Sequence, residues 1–247
     1  MPFETIQINT NSRICDNIYT ISLYYSHICQ PGQFFMLRVP GGKSLLPRPI
    51  AASDLGGGVL TFLYQVVGRG TSELAALRPG ESLELNGPLG NGFPIKNLTG
   101  NIALISGGAG IAPMLLTARE LRAKGCEIHA FCGFRDEAFM VDKLREHCSG
   151  VSVTTESGKS GTRGLITEIF DPKGYSAVLC CAPDPMAKIV TERCAGANVP
   201  VYISLEAKMA CGIGACLVCT CSMKNGAMKR VCTDGPVFPG GEVAFDA

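Results

Sequence analysis

Near its carboxyl end the chain carries Glu206-Ala-Lys-Met-Ala-Cys211-Gly-Ile-Gly-Ala-Cys216-Leu-Val-Cys219-Thr-Cys221, and a further cysteine follows in Arg230-Val-Cys232-Thr-Asp-Gly-Pro-Val-Phe238. Thiols spaced so closely would point in divergent directions from a helix or strand, so they must lie on a loop folded around one small object. The glycines between the first two cysteines let the backbone bend inward and aim its amides at that object. The stretch predicts four sulfur ligands for a [2Fe–2S] cluster or a structural zinc ion, namely Cys211, Cys216, Cys219 and Cys232.

The spacing of these cysteines favours iron and sulfur over zinc. A structural zinc site usually has two short cysteine pairs separated by a longer gap, whereas here a Cys-x4-Cys-x2-Cys run precedes a distant fourth cysteine. That run is the plant-type ferredoxin pattern for a [2Fe–2S] cluster. Cys221 could replace Cys219 in the ligand set, but the spacing favours Cys219.

The composition indicates a globular chain with its own hydrophobic core. Its 247 residues are 46% hydrophobic and 17% charged, enough for one large domain or two modest ones. A net charge of +1 gives no reason to expect nucleic acid or an anionic membrane as a partner. No secretory signal and no apolar run of membrane-spanning length is visible, and eight further cysteines are scattered through the predicted strands and helices. We therefore expect a cytoplasmic protein with free thiols.

The first part of the chain, residues 1–98, predicts a small antiparallel β-barrel, because many short strands alternate with turns. Two features in it are candidate binding elements. Leu46-Pro-Arg48-Pro-Ile-Ala51 places a permanently charged guanidinium at the start of a strand. Val67-Gly-Arg-Gly70-Thr71 leads through glycines into a helix predicted over 71–77, capped by Thr71, whose amino end would offer amides to a phosphate.

Residues 99–205 predict a second domain with a mostly parallel sheet, because buried strands alternate with helices. Between the first strand and the first helix, Gly107-Gly108-Ala-Gly110-Ile-Ala-Pro113 is similar to a dinucleotide-binding turn, with proline in place of the third glycine. The second strand is followed by Cys132-Gly-Phe-Arg135 and by no convincing acidic residue. The choice between NAD and NADP therefore stays open.

This order of a barrel, a nucleotide domain and a four-cysteine tail resembles the ferredoxin-reductase superfamily. Met209-Ala-Cys-Gly-Ile-Gly-Ala-Cys216 and Cys232-Thr-Asp-Gly-Pro-Val-Phe238 closely resemble the electron-transfer subunit of the NAD-dependent (class 1B) bacterial dihydroorotate dehydrogenase. The resemblance covers essentially the full chain. It implies an α/β plus β fold with an FAD-binding β-barrel at 1–98, an NAD-binding α/β domain at 99–205 and a [2Fe–2S] region at 206–247.

The resemblance also implies roles for particular positions. The positions that would contact FAD are Arg48, Pro49, Ile50, Ala51, Leu63, Tyr64, Gln65, Gly70 and Thr71. Those that would face the nicotinamide dinucleotide are Gly107, Gly108, Gly110 and Pro113. The cluster ligands would be Cys211, Cys216, Cys219 and Cys232. This chain departs from the family pattern where Ala51 replaces a usual Ser or Thr, and where Cys181-Ala182-Pro183 replaces Cys-Gly-Pro.

The implied function is electron transfer in pyrimidine biosynthesis, with no catalytic acid or base in this chain. Electrons would pass between NAD(H), FAD, the cluster and a separate FMN-containing catalytic subunit that oxidises dihydroorotate, in a heterotetramer with two copies of each chain. Two alternatives stay open. One is an NAD(P)H-dependent iron–sulfur flavoprotein reductase for another redox partner, and the other is a zinc-containing module that senses nucleotides.

Overall fold

The amino-terminal part folds into a closed antiparallel barrel in the computed structural model, which describes residues 3–245. Its six strands are β1 (Glu4–Cys15), β2 (Ile18–Tyr24), β3 (Phe34–Arg38), β4 (Arg48–Gly56), β5 (Val59–Gln65) and β6 (Ser82–Leu89). Around the barrel they follow the order β1-β2-β5-β4-β3-β6. The predicted barrel is thereby confirmed.

The interior of the barrel is filled by side chains that alternate along the strands. Phe35 on β3 has no exposed surface and packs edge to face with Phe62 and Tyr25, with ring centroids 5.4 Å and 5.5 Å apart. Such edge-to-face contacts are favoured by the charge distribution of aromatic rings. The barrel is therefore a packed core, and its ligand must bind at its surface or rim.

The single helix of this part, α1 (Arg69–Ala76), begins earlier than predicted. Gly68 is its capping residue, and Thr71 lies inside the first turn. The Thr71 hydroxyl accepts the amides of Val67 at 3.0 Å and of Gly68 at 3.2 Å. The prediction that Thr71 caps the helix from outside is wrong, because its side chain reaches back to the residues before the helix.

The second part is a mixed sheet in the order β10-β9-β8-β7-β11-β12-β15. In chain order the remaining strands are β7 (Asn101–Gly107), β8 (Glu127–Phe134), β9 (Gly150–Thr155), β10 (Thr162–Arg163), β11 (Ala177–Cys181), β12 (Val201–Ser204), β13 (Thr220–Ser222), β14 (Met228–Arg230) and β15 (Val237–Pro239). The helices are α2 (Ile111–Ala123), α3 (Val141–Arg145), α4 (Ile166–Ile169) and α5 (Asp184–Gly196). The predicted alternation of strands and helices is confirmed.

The cysteine-rich tail is built onto this second sheet. Its strand β15 pairs antiparallel with β12, through Phe238 opposite Ile203, while β13 and β14 form a separate hairpin. Every other pair in the large sheet is parallel. The predicted ranges 1–98 and 206–247 each extend two residues beyond the part of the chain that the structure describes.

Helix α2 connects the two parts. The Arg119 guanidinium pairs with the Asp54 carboxylate and donates to the Leu55 carbonyl, both on β4. Lys124 donates to three carbonyls of the segment between the domains, at 2.6 Å to Ile95, 2.8 Å to Lys96 and 3.1 Å to Leu98. These contacts hold the carboxyl-terminal half of α2 against the barrel and the connecting segment.

Among residues 3–245, no helix combines the length and the apolar character needed to cross a bilayer.

We expect Asn11→Ala to lower the free energy of unfolding by about 1–3 kcal/mol. The Asn11 amide donates to the Leu74 carbonyl at 2.9 Å and to the Leu77 carbonyl at 2.8 Å, and these acceptors at the end of α1 would lose their partner. Urea unfolding at saturating FAD measures the change. The control is Asn9→Ala on the same strand, which loses one bond of 3.3 Å to Ser22. Equal losses in the two variants would contradict the prediction.

Candidate functional site

A cavity of about 250 Å³ lies between the barrel and the second sheet. Strands β4 and β5 form its barrel side, and the turn after β7 and the ends of β11 and β12 form its other side. The predicted residues that line it are Pro49, Ile50, Ala51, Leu63, Tyr64, Gln65 and Pro113. The folded chain therefore brings residues predicted for two different ligands to one place.

Sequence reasoning missed part of this cavity. The residues it did not single out include Ala109, Ala112, Ser204, Glu206 and Met209. The two alanines lie within the glycine-rich turn and the first turn of α2, so the glycine motif could have indicated that they line a binding site. The other three directly precede the cysteine loop, and only the pairing of β12 beside β11 brings them to the cavity.

Arg48 and Gly70 contact each other at the edge of the barrel, outside the cavity lining. The Arg48 Nε atom lies 2.9 Å from the position that a Cβ would take on Gly70, so a larger residue there would displace the Arg48 side chain. The Nη2 atom donates to the Leu46 carbonyl at 2.8 Å, whereas Nε is buried and has no hydrogen-bond partner among the described residues. A buried donor of a permanent cation beside the amino end of α1 fits a cofactor phosphate.

The hydroxyls of two predicted residues are already engaged within the protein. Tyr64 donates to the Asn11 side-chain oxygen at 3.1 Å, and its ring stacks on Tyr19 with centroids 5.8 Å apart. Burial raises the pKa of the Tyr64 hydroxyl well above its ordinary value. Thr71 bonds to the backbone before α1, as described above. The Tyr64 hydroxyl and the Thr71 hydroxyl are therefore already occupied. Tyr64 is left with its ring, and Thr71 with its backbone, for contact with a ligand.

The glycine turn after β7 packs against the end of β11. A Cβ on Gly110 would stand 2.0 Å from the Cys181 carbonyl oxygen, and one on Gly107 would stand 2.7 Å from Pro183 Cδ. Gly108 has a φ of 53° and open space at its Cβ position. Gly107 and Gly110 are thus required by packing, while Gly108 is required by its backbone conformation and leaves its face of the turn free for a ligand.

Ala182 is compatible with this packing. Its side chain is 3% exposed, and its Cβ lies 3.3 Å from the position that a Cβ would take on Gly107. The additional methyl group relative to the family's usual glycine is therefore directed into the turn. It does not line the cavity.

The cysteine loop holds its sulfurs with backbone amides. Cys211 Sγ accepts the amides of Ile213 at 3.5 Å and of Cys216 at 3.4 Å, and Cys232 Sγ accepts the amide of Gly214 at 3.1 Å. Gly214 has a φ of 81°, in the left-handed region that favours glycine. Cys219 and Cys232 are buried and Cys216 is exposed, so the site lies at the surface with one side open.

The four thiols form two pairs, Cys211 with Cys216 and Cys219 with Cys232. Burial acts to raise the pKa of Cys211, but the surrounding amides outweigh it and lower that pKa to about 7. Burial and the adjacent Cys219 thiol raise the pKa of Cys232 to about 11, so a metal must displace its proton. In residues 3–245 no three His, Cys, Asp or Glu side chains converge as ligands of a single ion. Four cysteines with this spacing fit a [2Fe–2S] cluster.

Cys221, the alternative ligand, has a different partner. It lies on β13, and its Sγ donates to the Lys229 carbonyl on β14 at 3.4 Å. Cys219, in contrast, is 3% exposed and faces Cys232. This geometry supports the ligand set with Cys219.

The cysteine loop and the cavity share strand β3. A Cβ on Gly212 would stand 2.7 Å from Met36 Cγ, and Met36 is fully buried on β3 opposite Pro49 of β4. Pro49 and Met209 both line the cavity, and Met209 precedes Cys211 by two residues. A group bound in the cavity and a group bound by the cysteines would therefore be near neighbours.

Comparison with known proteins identifies the family. The family model for the iron-sulfur cluster binding domain of dihydroorotate dehydrogenase B matches residues 206–244. The dihydroorotate dehydrogenase B (NAD(+)) electron transfer subunit of Clostridium acetobutylicum is 42% identical over 97% of this chain and 96% of its own length. That of Clostridium perfringens is 43% identical over 97% of both chains. The chain belongs to this family. The resemblance inferred from the cysteine motifs is thereby confirmed.

Solved structures show that this chain has a fold similar to that of ferredoxin reductases. An NADH-dependent reduced ferredoxin-NADP oxidoreductase superposes with a TM-score of 0.86 at 30% identity, over 98% of this chain and 90% of that one. A ferredoxin NADP+ reductase from Neisseria gonorrhoeae superposes with a TM-score of 0.66 at 16% identity, over 80% of this chain and 92% of that one. The second likeness shows the fold alone, and the predicted fold class is confirmed.

We predict that Cys219→Ser will remove most of the bound iron and inorganic sulfide, while Cys221→Ser will leave both near wild-type levels. A serine oxygen is a poor substitute for a thiolate in the proposed ligand set, whereas the Cys221 thiol is used within the hairpin. The amounts of iron and sulfide per chain, measured after anaerobic purification, show which of the two cysteines is the ligand. The reverse pattern would assign the ligand to Cys221.

Proposed function

We propose that this chain is the electron-transfer subunit of an NAD-dependent dihydroorotate dehydrogenase, acting with an FMN-containing catalytic subunit in a heterotetramer of two copies each. The observation that carries the proposal is the shared strand β3, which places the cavity between the domains directly beside the cysteine loop. Relatives of that name cover this chain almost completely. The free state of all thirteen cysteines agrees with a cytoplasmic location.

Three redox groups are required for this function. FAD, when bound, connects the two-electron hydride chemistry of NAD(H) to the one-electron chemistry of a [2Fe–2S] cluster. The barrel would hold FAD, with Leu63, Tyr64 and Gln65 along its ring system and Pro49, Ile50 and Ala51 beside them. Arg48 and the amides near Gly70 would bind its phosphates.

The second domain would position the nicotinamide dinucleotide. Gly108 leaves its face of the turn after β7 free, with Gly107 and Gly110 holding the turn against β11, and parallel α/β sheets bind their ligands at the carboxyl ends of the strands. Ala112 and Pro113 at the start of α2 line the same cavity as the flavin residues. Because Arg119 fixes α2 to β4, the nucleotide side and the flavin side would keep a constant separation, as hydride transfer requires.

In this proposal the chain would supply no acid or base for dihydroorotate. Among the described residues that line the cavity there is no histidine, and Glu206 is the one carboxylate. His129 is paired with the Tyr175 hydroxyl at 3.0 Å on the second sheet. The proton chemistry of dihydroorotate oxidation would then belong to the partner subunit, and this chain would orient the cofactors.

The 30% identity to an NADH-dependent reduced ferredoxin-NADP oxidoreductase favours a second candidate function. In that alternative the same cofactors would serve a different redox partner. The binding residues would be unchanged, because the cavity and the cysteine loop do not depend on the partner's identity. The two candidates therefore differ only in the protein that exchanges electrons at the cysteine loop.

Reconstitution with the cognate FMN-containing subunit tests the function. We expect the purified pair to reduce NAD⁺ when dihydroorotate is added, and the FMN subunit alone to do so at a negligible rate. Light scattering should give the mass of two copies of each chain. A pair that is fully loaded with FAD, FMN, iron and sulfide yet gives no dihydroorotate-dependent NAD⁺ reduction would favour the second candidate.

We expect Arg48→Ala to weaken FAD binding about 10- to 100-fold, because a hydrogen bond to a charged group is worth about 1.5–3 kcal/mol. Fluorescence titration of the deflavinated chain measures the dissociation constant. Arg48→Lys should give an intermediate loss, since lysine keeps the charge but not the fixed geometry of the guanidinium. The matched control is Arg78→Ala just beyond α1, where the side chain is exposed. Similar losses of FAD affinity in Arg48→Ala and Arg78→Ala would refute a specific contact between Arg48 and FAD.

A further inference from the structure

The Thr233 hydroxyl is buried and lacks a partner. Its Oγ1 atom makes no hydrogen bond within the described part of the chain. The backbone around it is held on both sides, because the Thr233 amide donates to the Arg230 carbonyl at 3.2 Å and the Thr233 carbonyl accepts the Asn91 side-chain amide at 3.1 Å. A buried hydroxyl is almost always hydrogen-bonded in a folded protein, so this one requires an acceptor.

The hydroxyl lies on the inner side of the cysteine loop. Thr233 directly follows Cys232, and its Oγ1 atom lies 3.2 Å from the position that a Cβ would take on Gly214. The Gly214 amide donates to Cys232 Sγ at 3.1 Å. Thr233 therefore packs against the same glycine that holds a proposed cluster ligand. Other unpaired buried atoms, such as Ser53 Oγ and Thr191 Oγ1, belong to the barrel and to α5.

Thr220 provides an internal comparison. It also directly follows a proposed ligand, Cys219, and is the first residue of β13. Its hydroxyl, however, donates to the Leu217 carbonyl at 2.9 Å, and its side chain is exposed. The two threonines thus have the same position relative to a cysteine, but only the Thr233 hydroxyl is still without a protein acceptor.

We infer that the Thr233 hydroxyl donates a hydrogen bond to a sulfur of the cluster site and thereby raises the reduction potential of the cluster. This inference rests on the proposed function, which assigns the cluster to these cysteines. The sulfurs carry more negative charge in the reduced state, so each donor stabilises that state preferentially. The amides of Ile213, Gly214 and Cys216 act in the same sense, and Thr233 adds a side-chain donor that a substitution can remove.

An EPR-monitored redox titration of the complete chain, loaded with FAD and cluster, tests the inference. Thr233→Val keeps the shape of threonine and removes the hydroxyl. We expect it to lower the equilibrium constant for cluster reduction by three- to tenfold, where tenfold corresponds to 59 mV for one electron. Thr233→Ser should stay near the wild type, and Thr220→Val should show no shift. The FAD potential in the same samples should be unchanged.

The outcomes separate this inference from the proposed function. Iron and sulfide analysis of the wild type comes first, and their absence would overturn the function itself. If the cluster is present and Thr233→Val titrates like the wild type or like Thr220→Val, only the hydrogen bond is refuted. If Thr233→Val does not retain the cluster, Thr233→Ala and Thr233→Ser are compared instead of that variant. A cluster that is retained in the serine variant and lost from the alanine variant supports a role for the hydroxyl. Loss of the cluster from the serine variant shows that Thr233 acts by packing alone.

Discussion

The contact between Gly212 and Met36 is the constraint on which the arrangement of sites depends. Gly212 adopts a φ of 71°, and any Cβ there would collide with a methionine that is fully buried in the core. The absence of a side chain lets the cysteine loop lie directly on β3. Because Phe34, on the same strand, lines the cavity, β3 adjoins both binding regions.

A second requirement is that the two domains keep their relative position. Arg119 on α2 reaches the barrel strand β4, and Lys124, directly after α2, reaches the connecting segment. The amino end of the same helix lines the cavity. The helix is therefore both a structural link and a part of the binding site. Such coupling suits a protein that orients cofactors relative to one another.

The chain's departures from the family pattern are small and lie where the backbone forms the site. Ala51 pairs with Phe34 across β3 and β4 and contributes to the cavity lining without a hydroxyl. Ala182 directs its methyl group into the turn at Gly107.

The sequence by itself determined the local features: the order of barrel, nucleotide domain and cysteine tail, the glycine turn at Gly107–Gly110, and the spacing that favoured Cys219 over Cys221. These signals are local because they depend on residues a few positions apart. Only the tertiary structure decided that β15 joins the nucleotide sheet, that Arg48 packs on Gly70, and that the Thr233 hydroxyl has no protein acceptor. Each of these facts depends on segments distant in sequence that meet through sheet pairing and core packing, and no local pattern records which segments meet.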